Sequence, residues 1–221
     1  MLYNVGMKLP EYIKGAIFDL DGTLLDSMWI WADIDKRFLS KRGIEVPPDY
    51  MAVVGAMEYR QTAEYTIARF GLKEKPEDLM QEWSDMAVSA YATELKLKPK
   101  AKEIIAVLKA RGIKLAVATS ATPEMCLPAL KSNGVERFFD AVVTTQEIGK
   151  GKAHPDVYIA AAKRLGVAPS ACAVYEDALR AIKTAKNAGF YTIGVYDKFS
   201  RADEREIKAI ADDFIEFGIR N

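Results

Sequence analysis

Cysteine and histidine are scarce in this 221-residue chain, and neither sign of charge is in surplus. Two cysteines, Cys126 and Cys172, stand far apart, without the paired spacing of a metal knuckle or a disulfide framework. Both are therefore expected as buried free thiols, and the expected compartment is a reducing cytoplasm. Lys+Arg and Asp+Glu each number 31, so the formal net charge is zero. That balance argues against a nucleic-acid partner or a membrane surface, each of which calls for a basic excess. No apolar run reaches membrane-spanning length, and the stretch ahead of Asp19 is too polar and broken for a secretory signal. Internal repeats and low-complexity tracts are also missing. Half of the residues are hydrophobic, enough for one good core and one smaller unit.

The chemistry begins in the run from Gly15 to Ser27, which reads Gly-Ala-Ile-Phe-Asp-Leu-Asp-Gly-Thr-Leu-Leu-Asp-Ser. Ala16 to Phe18 read as a short buried strand, and alternation sends Asp19 and Asp21 to one side while Leu20 points away. Two acids at a strand end repel each other, so the site calls for a cation or a shared proton. Hard oxygen ligands favour Mg²⁺, which keeps waters and completes its shell from phosphate. Gly22 permits a sharp turn whose following N–H groups can face an anion. A calcium loop of the EF-hand kind would need Glu at the twelfth position, where Ile30 stands. A solvated acidic turn is the plainer alternative for this stretch taken alone.

Three further segments end apolar runs in polar residues. Ile113 to Ala118 leads into Thr119 and Ser120, and Ala173 to Tyr175 leads into Glu176 and Asp177. Between them, Gly149 to Asp156 forms a basic, glycine-punctuated loop around Lys152. In an open parallel sheet such strand ends converge on one crevice. This order of parts (Asp-x-Asp-Gly-Thr, hydrophobic-Thr, Lys-x-x-Pro-Asp, Glu-Asp) resembles the haloacid dehalogenase superfamily of phosphotransferases. The resemblance covers nearly the whole chain, including Phe138-Phe139-Asp140 before the third strand and Ala185 to Gly189 after the fourth motif.

The resemblance implies a role for each motif residue. Asp19 is the nucleophile that becomes an aspartyl phosphate. Asp21 is the general acid and then base, with its backbone carbonyl on the metal. Thr119 donates its hydroxyl to a phosphoryl oxygen, with N–H groups near Leu20 and Ser120 assisting. Lys152 bridges nucleophile and phosphate. Asp177 ligates Mg²⁺, and Glu176 is either a ligand or an orienting neighbour of one. His154, the chain's one histidine, falls at a spacer position between the lysine and the proline. Ala153, Ala178 and Ala181 depart from residues common in the family, without removing a catalytic group.

From Pro99 onward helical segments alternate with strand-like runs at Leu115 to Thr119, Ala141 to Thr144, Ala173 to Glu176 and Tyr191 to Val195. A short edge strand is expected near Asp213 to Ile215. The fold class is therefore α/β: a doubly wound, Rossmann-like parallel sheet over residues 1–25 and 97–221. Residues 26–96 show helical spacing with breaks at Gly43, Pro47-Pro48 and Gly71 to Pro76, which predicts about four helices. Their place resembles the family's helical cap, which implies that they choose the leaving group. Trp29 and Trp31 flank Ile30 and face nearly opposite ways on a helix, so one is expected in the core and the other near substrate. Arg60 is the cap's candidate for a remote anionic or hydroxyl contact.

The expected activity is Mg²⁺-dependent hydrolysis of a small phosphorylated metabolite, a sugar phosphate or similar monoester, by a monomer, with a dimer as the alternative. A sugar phosphomutase resembling β-phosphoglucomutase is the competing activity. Those mutases carry a histidine on the first cap helix where Trp31 stands, which favours water over a returning sugar. A non-catalytic binding module on an inherited fold is the third reading, disfavoured because every chemical group is present.

Overall fold

The computed structural model describes residues 9–55 and 57–217. Among the described residues six strands form one sheet: β1 (Gly15–Phe18), β2 (Lys114–Thr119), β3 (Ala141–Thr144), β4 (Cys172–Glu176), β5 (Tyr191–Val195) and β6 (Asp213–Ile215). Their spatial order is β3-β2-β1-β4-β5-β6 and every ladder is parallel. Strands covered on both faces need no polar alternation, and β1 and β4 are buried at every residue. This is the doubly wound order, with its switch point beside β1, where the chain runs to β2 on one side and β4 on the other. Ligands of such sheets bind outside the carboxyl ends of the strands at that point.

The chain divides into two compact units, one comprising Met1–Met28 and Leu95–Asn221, the other Trp29–Glu94. The second is all helical: α1 (Ile30–Ser40), α2 (Tyr50–Val54), α3 (Tyr59–Phe70) and α4 (Pro76–Thr93). Leu79, Trp83, Ala87 and Ala90 make the buried stripe of α4, and Ile30, Ile34 and Phe38 that of α1. The two helices meet where the Trp83 and Phe38 rings pack edge to face, 5.3 Å apart. A reciprocal capping box between Glu58 and Gln61 starts α3.

In the sheet unit, α5 (Ala101–Ala110) precedes β2, and α6 (Pro123–Ser132) and α7 (Thr145–Ile148) bracket β3. Then come α8 (Asp156–Leu165), α9 (Leu179–Asn187) and α10 (Glu204–Ile210). Val157, Tyr158, Ala161, Ala162 and Leu165 of α8 pack on Ile17, Ala116, Val143 and Val174 of the sheet. The register of β1 on β4 pairs Phe18 with Tyr175, whose rings stack at 4.2 Å. That pairing sets Asp19, the next residue of one strand, beside Glu176 of the other.

Candidate active site

Asp19, Glu176 and Asp177 bring carboxylate oxygens within 4.8 Å of one another at the carboxyl ends of β1 and β4. All three are buried. The register explains the closeness, since two adjacent parallel strands end level and both continue in acids. Lys152 comes from the turn before α8, closed by the His154 N–H donating to the Gly151 carbonyl at 3.0 Å. Its ammonium donates to Asp19 Oδ1 and, at 2.6 Å, to Glu176 Oε1.

The remaining contacts fix each acid. The Tyr158 hydroxyl donates to Glu176 Oε1 at 2.6 Å, while Glu176 Oε2 is buried with no hydrogen-bond partner among the described residues. Thr23 donates to Asp177 Oδ1 at 3.2 Å and Ser200 to Asp177 Oδ2 at 3.1 Å. Ser200 lies on a 3-10 helix, Lys198–Asp203, that Asp197 caps by accepting the Phe199 N–H at 2.8 Å. Asp197 is itself buried in an ion pair with Lys98 at 2.9 Å, and Lys98 also donates to the Tyr196 carbonyl at 2.7 Å. Ala178 brings no hydroxyl to this corner, and Ser200 does.

Burial, reinforced by the Asp19 charge, pushes the Glu176 carboxyl up to about 8, against the pull of Lys152. Burial likewise raises Asp177 to about 7, with Asp19 adding to it and Ser200 and Lys98 opposing. Burial alone would lower the Lys152 ammonium, but Asp19 and Glu176 outweigh it and hold it above the usual lysine range. The Tyr158 phenol sits well above its ordinary value, first through burial and then through Glu176, so it acts as a donor. The Lys152 ammonium pairs with two of these three acids, Asp19 and Glu176. The trio could hold a divalent cation, which would supply further positive charge, and the orphaned Glu176 Oε2 is an oxygen that suits it.

Asp21 is not in this trio. It is half-buried beyond the Gly22 turn, and its Oδ1 accepts from the Ser27 hydroxyl at 2.7 Å. The Leu20 side chain is fully buried, while its carbonyl takes the N–H groups of Leu24 and Leu25 at 2.9 and 2.8 Å. Thr119, the last residue of β2, is buried and accepts the Ala121 N–H at 3.0 Å; Ser120 beside it is exposed. The His154 side chain is exposed, as a spacer would be.

Trp29, Trp31 and Arg60 belong to the helical unit. Neither tryptophan is the core residue that their spacing predicts: Trp29 is half-buried, Trp31 is 42% exposed, and Ile30 between them is the one that is buried. The apolar stripe of α1 starts at Ile30 and continues through Ile34 and Phe38, so a residue on either side of it falls off the stripe. Arg60 makes an exposed ion pair with Glu77 at 2.8 Å. Tyr158, Ser200, Ser27 and the Lys98–Asp197 pair were not singled out by motif reasoning. The one local signal is Tyr158 itself, a phenol on the buried stripe of α8 whose hydroxyl needs a partner.

The chain is similar to several known proteins. A phosphorylated carbohydrates phosphatase of Thermotoga maritima is 26% identical over 181 residues, 82% of this chain and 84% of that protein. Hexitol phosphatase B of Escherichia coli is 25% identical over 209 residues, 92% of each. The crystal structure of CbbY from Rhodobacter sphaeroides in complex with phosphate superposes with a TM-score of 0.72 at 24% identity, covering 92% of this chain and 93% of that one. Residues 16–195 match the family described as haloacid dehalogenase-like hydrolases, and the chain belongs to that family.

Proposed function

We propose that this chain is a Mg²⁺-dependent phosphatase of small phosphorylated carbohydrates, working through an aspartyl phosphate on Asp19. The observation that carries the reading is the Asp19–Glu176–Asp177 trio with the Lys152 ammonium laid across two of its members. Asp19, Glu176, Asp177 and the Asp21 carbonyl are the candidate holders of the cation, whose charge would offset that of the phosphoryl group. Asp19 attacks phosphorus, and Lys152, already on its carboxylate, neutralises charge on the transferring oxygens. Thr119 accepts the Ala121 N–H, which leaves its own proton to donate to a phosphoryl oxygen. Asp21, oriented by Ser27, gives its proton to the departing alkoxide and then takes one from the attacking water. The carbohydrate class follows the relatives' activities, which are phosphatases of phosphorylated carbohydrates and hexitols. Hydrolysis rather than isomerisation follows from Trp31, an indole that handles no protons where mutases carry a histidine.

The test is a panel of hexose and hexitol phosphates with Mg²⁺, scored for both inorganic phosphate and isomer. Phosphate release without isomer is expected, and Asp19→Asn should cut it by at least about a thousandfold while leaving the fold intact. Substantial turnover by that variant would sink the mechanism. Efficient isomerisation dependent on a bisphosphate activator would replace the phosphatase with a mutase.

A further inference from the structure

We infer that Tyr158 is a positioning residue for the cation site, fixing Glu176 so that Oε2 is the oxygen offered to the metal; this rests on the Mg²⁺-dependent reading above. Glu176 ends β4 and is 1% exposed. Its two oxygens are treated unequally, because both the Tyr158 hydroxyl and the Lys152 ammonium donate to Oε1, each at 2.6 Å, and Oε2 receives nothing from the described residues. A buried carboxylate oxygen left without a partner is costly, so an orientation that concentrates both donors on Oε1 calls for a ligand at Oε2.

Lys152 cannot supply this orientation by itself. Its ammonium rides on a flexible stem and is shared with Asp19, the group that must change partners when it attacks phosphorus. Tyr158 has a rigid ring on α8, fully buried, with Phe190 edge-on at 6.2 Å and the Lys152 ammonium 5.8 Å from its ring centre. Packing alone would accept a phenylalanine here. The hydroxyl adds one thing, a fixed donor on Glu176 that stays in place while Lys152 moves.

Tyr158→Phe keeps the ring and removes that donor. Calorimetric titration of the full chain with Mg²⁺ should show binding weakened by about tenfold, the scale typical of a lost partner of a metal ligand. The Mg²⁺ concentration for half-maximal activity should rise by the same factor, with the substrate KM at saturating Mg²⁺ unchanged. As a second readout, the rise in unfolding midpoint on adding Mg²⁺ should shrink for Tyr158→Phe relative to the parent chain. A purely structural hydroxyl would lower the midpoint without altering the Mg²⁺ response, and that result overturns the inference. So would a Tyr158→Phe chain that no longer unfolds cooperatively, since the hydroxyl would then belong to the fold. If the parent chain binds Mg²⁺ and the variant binds it equally well, the inference falls and the phosphatase reading stands. A parent chain with no affinity for Mg²⁺ removes both.

Discussion

Gly22 shows how little room a single residue has at this site. Its φ of +77° lies in the left-handed region, and a Cβ built there would stand 2.5 Å from Asp177 Oδ2. Alanine at this position would therefore strain the turn and push Asp177 away from Asp19 and Glu176. Gly22→Ala is expected to weaken Mg²⁺ binding by at least about tenfold, and a calorimetric titration with unchanged affinity would refute the close-approach argument. The need for a glycine turn could be read from Asp-x-Asp-Gly. The second reason could not, because Asp177 arrives from the far end of the chain. The same holds for Ser200 and Tyr158. Nothing local marks a serine on a 3-10 helix as a partner of Asp177, and the buried phenol of Tyr158 signals only that its hydroxyl needs a partner, not that Glu176 is the one. Asp19, Thr119, Glu176 and Asp177 could be picked out because each sits at or just past the end of a strand whose apolar run announces it, whereas Lys152 is marked instead by the glycine-punctuated turn before α8.

Elements were read well where one pattern decides them. The runs at Ala141 to Thr144, Tyr191 to Val195 and Asp213 to Ile215 are β3, β5 and β6 to the residue, since each is a short block rich in apolar residues between helical segments, although the edge strands β3 and β6 are only partly buried. The Lys198–Asp203 turn had no such signal, because a buried ion pair and a side-chain cap build it rather than a periodic stripe. On α1 the period was right and the chosen faces were wrong, as Ile30 rather than either tryptophan begins the stripe. That helix also carries Asp35, whose carboxyl is pushed up to about 6 by burial. A raised carboxyl favours the protonated fold, so the native chain binds more protons than the unfolded one between the unfolded value of 3.8 and the folded value. Stability is therefore lost as pH rises through that window, and the penalty is complete above about 6. Asp35→Asn should stabilise the chain by about 1–2 kcal/mol near pH 7.5 in chemical denaturation, with the gain vanishing near pH 4. A gain that persists at pH 4 would assign the effect to something other than the charge.

Taken whole, the molecule balances its charge globally and concentrates imbalance in one place. Lys+Arg and Asp+Glu cancel at 31 each, yet the doubly wound sheet gathers three buried acids at its switch point. Parallel strands make this unavoidable, since every carboxyl end points the same way and β1 and β4 end level. The consequence is a fold whose stability depends on what neutralises that end. Without a cation, Glu176 sits at about 8 and Asp177 at about 7, against ordinary values of 4.5 and 3.8. Both folded values are raised, so the cation-free chain loses stability as pH climbs from about 4 to about 8 and carries the full penalty beyond that. A Mg²⁺ ion held there would displace those protons, so its stabilising effect should grow over the same range and fade toward acid, where protons already do the neutralising. Unfolding midpoints with and without Mg²⁺ should diverge from about pH 4 to about pH 8 and level off above that, and binding near pH 7 should release protons, read as a dependence of the calorimetric heat on the buffer's ionisation enthalpy. A Mg²⁺ shift that is flat across this range, with no proton release, would mean that the cation is not held by the buried acids at the ends of β1 and β4.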